Sequence, residues 1–206
     1  MFSRTKEKKE RALGERLQLK GHRCNSPKCA FVRKPHRPGM HGRKRQRGTV
    51  SDFGRQIREK QKFKLTYGVD ERNLRRLFGL ARKKVGSTAQ KLVELLERRL
   101  DNVVFRLGFA PSRAAAHQLI THGHVLVNGK RVKSPAFSVA VGDVVAIRES
   151  SRAIAPVKDA VESLKTYSPP SWLALDAAPL TGRVVRLPDE TAVTFDTNLL
   201  VESFSK

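Results

Sequence analysis

Over 206 residues the chain carries a formal net charge of +23, with 39% hydrophobic and 6% aromatic residues. This length gives one or two small domains, and no apolar run reaches the roughly 18 residues that a membrane span needs. Two cysteines exclude a disulfide framework and suit a reducing compartment. The basic start from Met1 to Lys9 lacks the apolar stretch of a secretory signal, so a cytoplasmic protein without a membrane partner is expected.

The charge is unevenly spread. Residues 1–64 hold 21 Lys and Arg against 5 Asp and Glu, residues 65–150 hold 15 against 7, and residues 151–206 hold 6 against 7. Such asymmetry repels itself unless a polyanion neutralises it. Nucleic acid is the natural partner, because each neutralised phosphate releases counterions.

In chain order, residues 1–50 read as a basic Pro/Gly-rich arm. Pro27, Pro35, Pro38, Gly39, Gly42 and Gly48 rule out a long helix through it. Its few apolar residues predict no core of its own, so it is expected to be mobile until RNA neutralises it. The densest run is Arg43, Lys44, Arg45 and Arg47. A helical region over 51–95 follows. Ser51 and Asp52 are N-cap candidates for a helix from Phe53 to Leu65 stopped by Gly68. A second helix starts near Asp70, with Leu74, Leu77, Phe78 and Ala81 on one face and Arg72, Arg75, Arg76, Arg82, Lys83 and Lys84 around the rest. Gly86 ends it.

Ser87 and Gln90 have capping-box spacing. The spacing of Leu92, Leu95, Leu96, Leu100, Val103, Val104 and Leu107 predicts one helix running to a stop at Gly108. Ser112 caps another, ended by Gly123. Val125 and Val127, then Asn128-Gly129, then Val132 predict a hairpin on a two-residue turn. Val139, Val141, Val145 and Ile147 read as further short strands. Residues 96–150 thus form a helix–helix–hairpin unit. The tail, 151–206, holds a helix over 152–165, broken by Pro169-Pro170, and then loops with weak strand alternation around Val193, Phe195, Leu199 and Val201. The fold class is α+β, with a small antiparallel sheet.

No G-x-S-x-G elbow, P-loop or dinucleotide fingerprint is present, so no enzyme is expected. Asp101 reads as a structural partner for an arginine such as Arg98. Cys24 and Cys29 have the spacing of half a zinc site, with His22, His36 and His41 nearby. A structural site wants two ligand pairs, so zinc is not expected and no other cofactor is implied. Few aromatics argue against a stacking sheet, leaving shape recognition of structured RNA by helices and a basic arm. Phosphate contacts of this kind position but do not specify. Arg55, Arg58, Lys60, Lys62, Arg72 and Arg76 are the helical candidates.

The stretch Leu96 to Phe109, followed by Ser112 to Lys130, closely resembles the RNA-binding module of the S-four ribosomal protein family. Gly21 to Ala30, Pro38 to Gly42, Ser51-Asp52-Phe53 and Arg58 to Lys62 resemble the N-terminal part of the bacterial family members, so the likeness covers most of residues 21–150. It implies a primary binder of the 5′ domain of small-subunit (16S) rRNA that starts assembly. It also implies a place beside neighbouring small-subunit proteins, including S-five, near the path by which mRNA enters, with a part in translational accuracy. By that resemblance Arg43, Lys44, Arg45 and Arg47 would face rRNA or incoming mRNA. Arg99, Arg106, Arg113 and His117 would line the RNA side of the module, with Lys130 at the hairpin; Arg106 and His117 could instead pair within it. Zinc-bearing relatives have an earlier Cys pair that this chain lacks between Met1 and Lys20. The same module occurs on RNA-modifying enzymes and on free RNA chaperones. The first would need a catalytic domain larger than the 56 residues after Ser150; the second would lack the Pro38–Gly42 loop.

Overall fold

In the computed structural model, residues 5–43, 50–164, 167–188 and 195–205 are described. The architecture is α+β, and the chain divides into two compact units, residues 1–89 with 194–206, and residues 90–193. The tail expected at 151–206 is itself shared between the two.

The first unit is helical. α1 (Lys6–Leu13), a 3-10 turn (Gly21–Asn25) and the short α2 (Ala30–Arg33) fold the stretch that composition alone would leave without structure. Where the count of apolar residues predicts no core, buried polar and sulfur groups supply one. Cys24 and Cys29 are buried. The buried Glu10 carboxylate accepts the backbone N–H groups of Leu17 and Leu19 at 3.1 and 3.0 Å. The Arg11 guanidinium donates to the carbonyl of His36 at 3.1 and 3.0 Å.

α3 (Asp52–Tyr67) begins where Ser51 accepts from the N–H of Gly54 at 3.2 Å and ends at Gly68, whose φ of 63° needs no Cβ. α4 (Glu71–Arg82) is capped by Asp70, which accepts from the N–H of Asn73 at 2.8 Å; that bond holds the Asp70 carboxyl below its usual pKa. The C-terminal segment closes this unit. Where sequence alternation suggests loops and strands, α9 (Thr197–Ser205) is a helix started by Asp196, which accepts from Asn198 and Leu199. It covers α3 and α4. The Phe195 ring lies 5.1 Å from Phe63 and the Phe204 ring 5.0 Å from Phe78, while Leu200 is fully buried.

The second unit holds α5 (Thr88–Glu97), whose first turn contains the boundary, then α6 (Leu100–Arg106), α7 (Arg113–Thr121), α8 (Ala155–Leu164) and the sheet. The single helix expected up to Leu107 is broken at Arg99, which adopts an extended conformation and bridges Ser138. Residues 135–139 supply the reason. The N–H of Leu100 donates to Phe137, that of Asp101 to Pro135, and that of Val139 to the Arg98 carbonyl. These bonds satisfy backbone groups that a continuous helix would have paired internally.

Ser112 accepts from Ala115 and starts α7, as its position predicts. Asn128 and Gly129, at φ of 50° and 76°, make the hairpin turn between β1 (Val125–Val127) and β2 (Lys130–Arg131). β3 (Val144–Ile147), β4 (Leu173–Asp176) and β5 (Thr181–Val184) complete a five-stranded antiparallel sheet among the described residues, in the order β2-β1-β3-β5-β4. The strand expected around Val139 and Val141 is a loop. Its carbonyls and N–H groups serve the break in the helix and a turn at Asp143. Gly182 on β5 lies against Leu107 so closely that any Cβ would collide with it. The core here joins Leu100, Val103, Val104, Leu107, Ile120, Val125, Val145, Ile147, Trp172 and Val184.

Candidate nucleic-acid interface

The cationic residues fall into two groups, those held by carboxylates and those left facing solvent. In the first unit, Lys62 is nearly buried and sits between Glu15, at 2.5 Å, and Glu59. Burial alone would lower its pKa; the two carboxylates outweigh this and hold it above the ordinary lysine value. Lys60 lies 3.0 Å from Glu71, and its ammonium sits 4.9 Å from the centre of the Phe204 ring. Lys64 takes the other oxygen of Glu71 at 2.9 Å. Lys60 and Lys62, expected on RNA, thus also fasten segments of the unit to one another. Arg55 is exposed and pairs with exposed Asp52 at 2.5 Å, a contact of little energetic weight. Arg58 is half-buried.

α4 is different. Its carboxylate, Glu71, is turned to the α3 lysines. Arg72, Arg75, Arg76, Arg82 and Lys83 are exposed and pair with no carboxylate among the described residues. At 100° per residue these five side chains and Gly79 share one face, opposite the buried Leu74, Leu77, Phe78 and Ala81. Sequence reading places all five on this helix and singles out Arg72 and Arg76 as candidates. The i, i+3, i+4 spacing was a sufficient signal for all five. A second concentration of cations surrounds a cavity of about 250 Å³ in the N-terminal segment, lined by Arg11, Arg23, Lys28, Ala30, Arg33 and Lys34. Arg43 is exposed, whereas Lys44, Arg45 and Arg47 lie outside the described residues.

In the second unit Arg98, Arg99, Arg106 and Arg113 turn inward, whereas Arg131, Arg148, Arg183 and Arg186 are exposed. Glu97 is fully buried and receives the Arg106 guanidinium at 3.2 and 3.1 Å and the Asn102 amide at 2.7 Å. Asn102 Oδ1 then accepts from Arg113 Nε at 2.8 Å, and the Arg113 guanidinium stacks 4.5 Å from the centre of the Phe105 ring. Arg99 makes a two-bond pair with Asp101 at 3.1 and 2.6 Å, with only 11% of its side chain exposed. His117 Nδ1 lies 3.6 Å from the same carboxylate. Arg98, expected to serve Asp101, pairs instead with Glu94 at 3.2 Å. Arg99, Arg106 and Arg113, expected on the RNA side of the module, thus have partners within it, as the alternative for Arg106 anticipated. These side chains tie α5, α6 and α7 together, because buried carboxylates and an amide stand within reach of them. Lys130 remains exposed on β2, beside Arg131, which donates to the carbonyl of His122 at 3.0 Å.

Cys24 Sγ accepts the N–H of Lys20 at 3.4 Å, and burial pushes its thiol pKa up. Among the described residues no three His, Cys, Asp or Glu side chains converge as metal ligands would.

A helical unit with a cationic face that no described carboxylate pairs, and a helix–helix–hairpin unit closed by buried ion pairs, fit the class of RNA-binding proteins. The pattern described as the S4 domain matches residues 98–145, and that of the ribosomal protein S4/S9 N-terminal domain matches residues 2–97. The chain is 48% identical over 195 residues to the small ribosomal subunit protein uS4 of Natranaerobius thermophilus and 46% identical to that of Thermus thermophilus. Each alignment covers 94% of this chain and 93% of the relative. The chain belongs to the uS4 family of small-subunit ribosomal proteins, a family of structural proteins and not of enzymes.

Proposed function

We propose that the protein is a structural constituent of the small ribosomal subunit, in the cytoplasm, and that it binds small-subunit rRNA chiefly through the cations of its N-terminal unit. The face of α4 supports this most directly, because its five cations are exposed and no carboxylate among the described residues pairs with them. The names of the relatives support the ribosomal setting. In finer terms, the protein is a primary binder of the 5′ domain of 16S rRNA. It nucleates that part of the subunit and, beside S-five, helps set accuracy near incoming mRNA. The test is twofold. The native protein should sediment with small subunits at moderate salt. Purified protein should bind a 5′-domain transcript before other subunit proteins are added, with log affinity falling by about 0.7–0.9 per neutralised phosphate for each unit of log salt. A slope near one would overturn the phosphate-dominated reading.

A further inference from the structure

Gly79 stands in the interior of α4, in the middle of the cationic face. A glycine there costs the helix about 1 kcal/mol relative to alanine, so it calls for a reason. The other glycine within a helix of this unit, Gly54, has an internal one: a Cβ would meet Val50 at 3.0 Å and Ser51 at 3.3 Å. Gly79 has none of that kind, because a Cβ would meet nothing within 4 Å, and its φ is not left-handed.

Two further features of the same face work against the isolated helix. Arg72 and Arg76 are like charges at i, i+4, and Arg72 and Arg75 at i, i+3, where repulsion destabilises a helix. Arg72 also lies in the first turn, at the positive end of the helix dipole. Arg82 and Lys83 at the other end are favoured by that dipole, so the conflict belongs to the N-terminal half and to Gly79. A polyanion lying along the face relieves both. It neutralises the arginines, and the missing side chain lets it reach the helix surface between them.

We propose that Gly79 is the point of closest approach of an RNA phosphodiester backbone to α4, flanked by Arg75, Arg76, Arg82 and Lys83 as its phosphate ligands. The proposal deepens the rRNA-binding reading above and rests on it. Gly79 sets the distance at which the flanking cations meet phosphate. A side chain there holds the strand off while every cation stays in place.

The experiment compares the full-length chain with Gly79→Ala and Gly79→Leu, using a 5′-domain rRNA transcript as probe. Both replacements favour helix, so both should raise the Tm, and a loss of binding cannot then be a loss of folding. Gly79→Leu should weaken binding about tenfold and flatten the salt slope by about one, as loss of a phosphate contact does; Gly79→Ala should fall between it and the parent. Binding by Gly79→Leu equal to the parent, with the same salt slope, would overturn the proposal while leaving the rRNA reading intact. A parent chain that fails to bind the transcript would overturn both.

Discussion

The arginines of α4 and those of α6 and α7 are the same residue type, yet they are used in opposite ways. On α4 the local carboxylate is diverted to the lysines of α3, and five cations face outward. In the second unit Glu97, Asp101 and Asn102 are buried within reach of Arg106, Arg99 and Arg113, and the cations become structural. What separates a binding surface from an internal ion pair is the position of the nearest carboxylate, not the count of positive charges. Desolvation enforces the distinction, because a buried carboxylate without its partner is far costlier than an exposed arginine without one.

The sharpest way to break this comparison is Glu97→Ala. It takes the carboxylate away from the half-buried Arg106 guanidinium and leaves the buried Asn102 amide only the carbonyl of residue 97, and it should cost about 3–5 kcal/mol of stability, read by urea or thermal unfolding. A change below 1 kcal/mol would mean that the buried network is dispensable. Next is the joint replacement Arg72→Gln, Arg76→Gln and Arg82→Gln. The Tm should stay the same or rise, while rRNA affinity falls by about 3 kcal/mol, roughly hundredfold, and the salt slope drops by about 2–3. Unchanged affinity would move the RNA surface off α4.

Arg113→Ala sharpens the contrast from the other side. Loss of the bond to Asn102 and of the stacking on Phe105 should cost about 2 kcal/mol of stability, with rRNA affinity nearly kept when measured well below the Tm. An intact Tm with a large loss of affinity would return Arg113 to the RNA surface. The smallest effect concerns Glu10 and pH. Burial pushes its carboxyl above the usual value, although the N–H groups of Leu17 and Leu19 pull it down. A carboxyl whose folded pKa is raised binds its proton more tightly in the folded state, so its contribution to stability falls as pH rises from the unfolded value through the folded one. Glu10→Gln should remove that decline above the ordinary glutamate pKa, changing the pH profile of unfolding by about 1 kcal/mol or less. A profile with the same slope in both proteins would show that Glu10 does not carry it.

Much of the local structure was legible in the residues. Ser51, Asp70 and Ser112 cap their helices, Asn128-Gly129 makes its turn, and the apolar stripe of α4 is buried as its spacing requires. The α4 half of the candidate surface was legible too, since five cations at helical spacing share a face wherever the helix is placed. Three things were not. The break at Arg99 depends on donors and acceptors from residues 135–139, some forty positions on. The role of α9 depends on Phe195 and Phe204 meeting Phe63 and Phe78, far away in sequence. The N-terminal stretch folds because Glu10, Cys24 and Cys29 are buried together with their backbone partners, which a count of apolar residues does not register.

The sequence by itself therefore determined the caps, turns and helix faces, the uneven charge and the kind of partner that charge demands, all of which follow from interactions within a few residues or from sums over many. Tertiary structure alone decided which cations are paired inside the protein. Lys60, Lys62, Arg99, Arg106 and Arg113 are held by carboxylates, an amide or an aromatic ring brought near by folding, and the reach of a salt bridge is a distance in space that position along the chain does not encode.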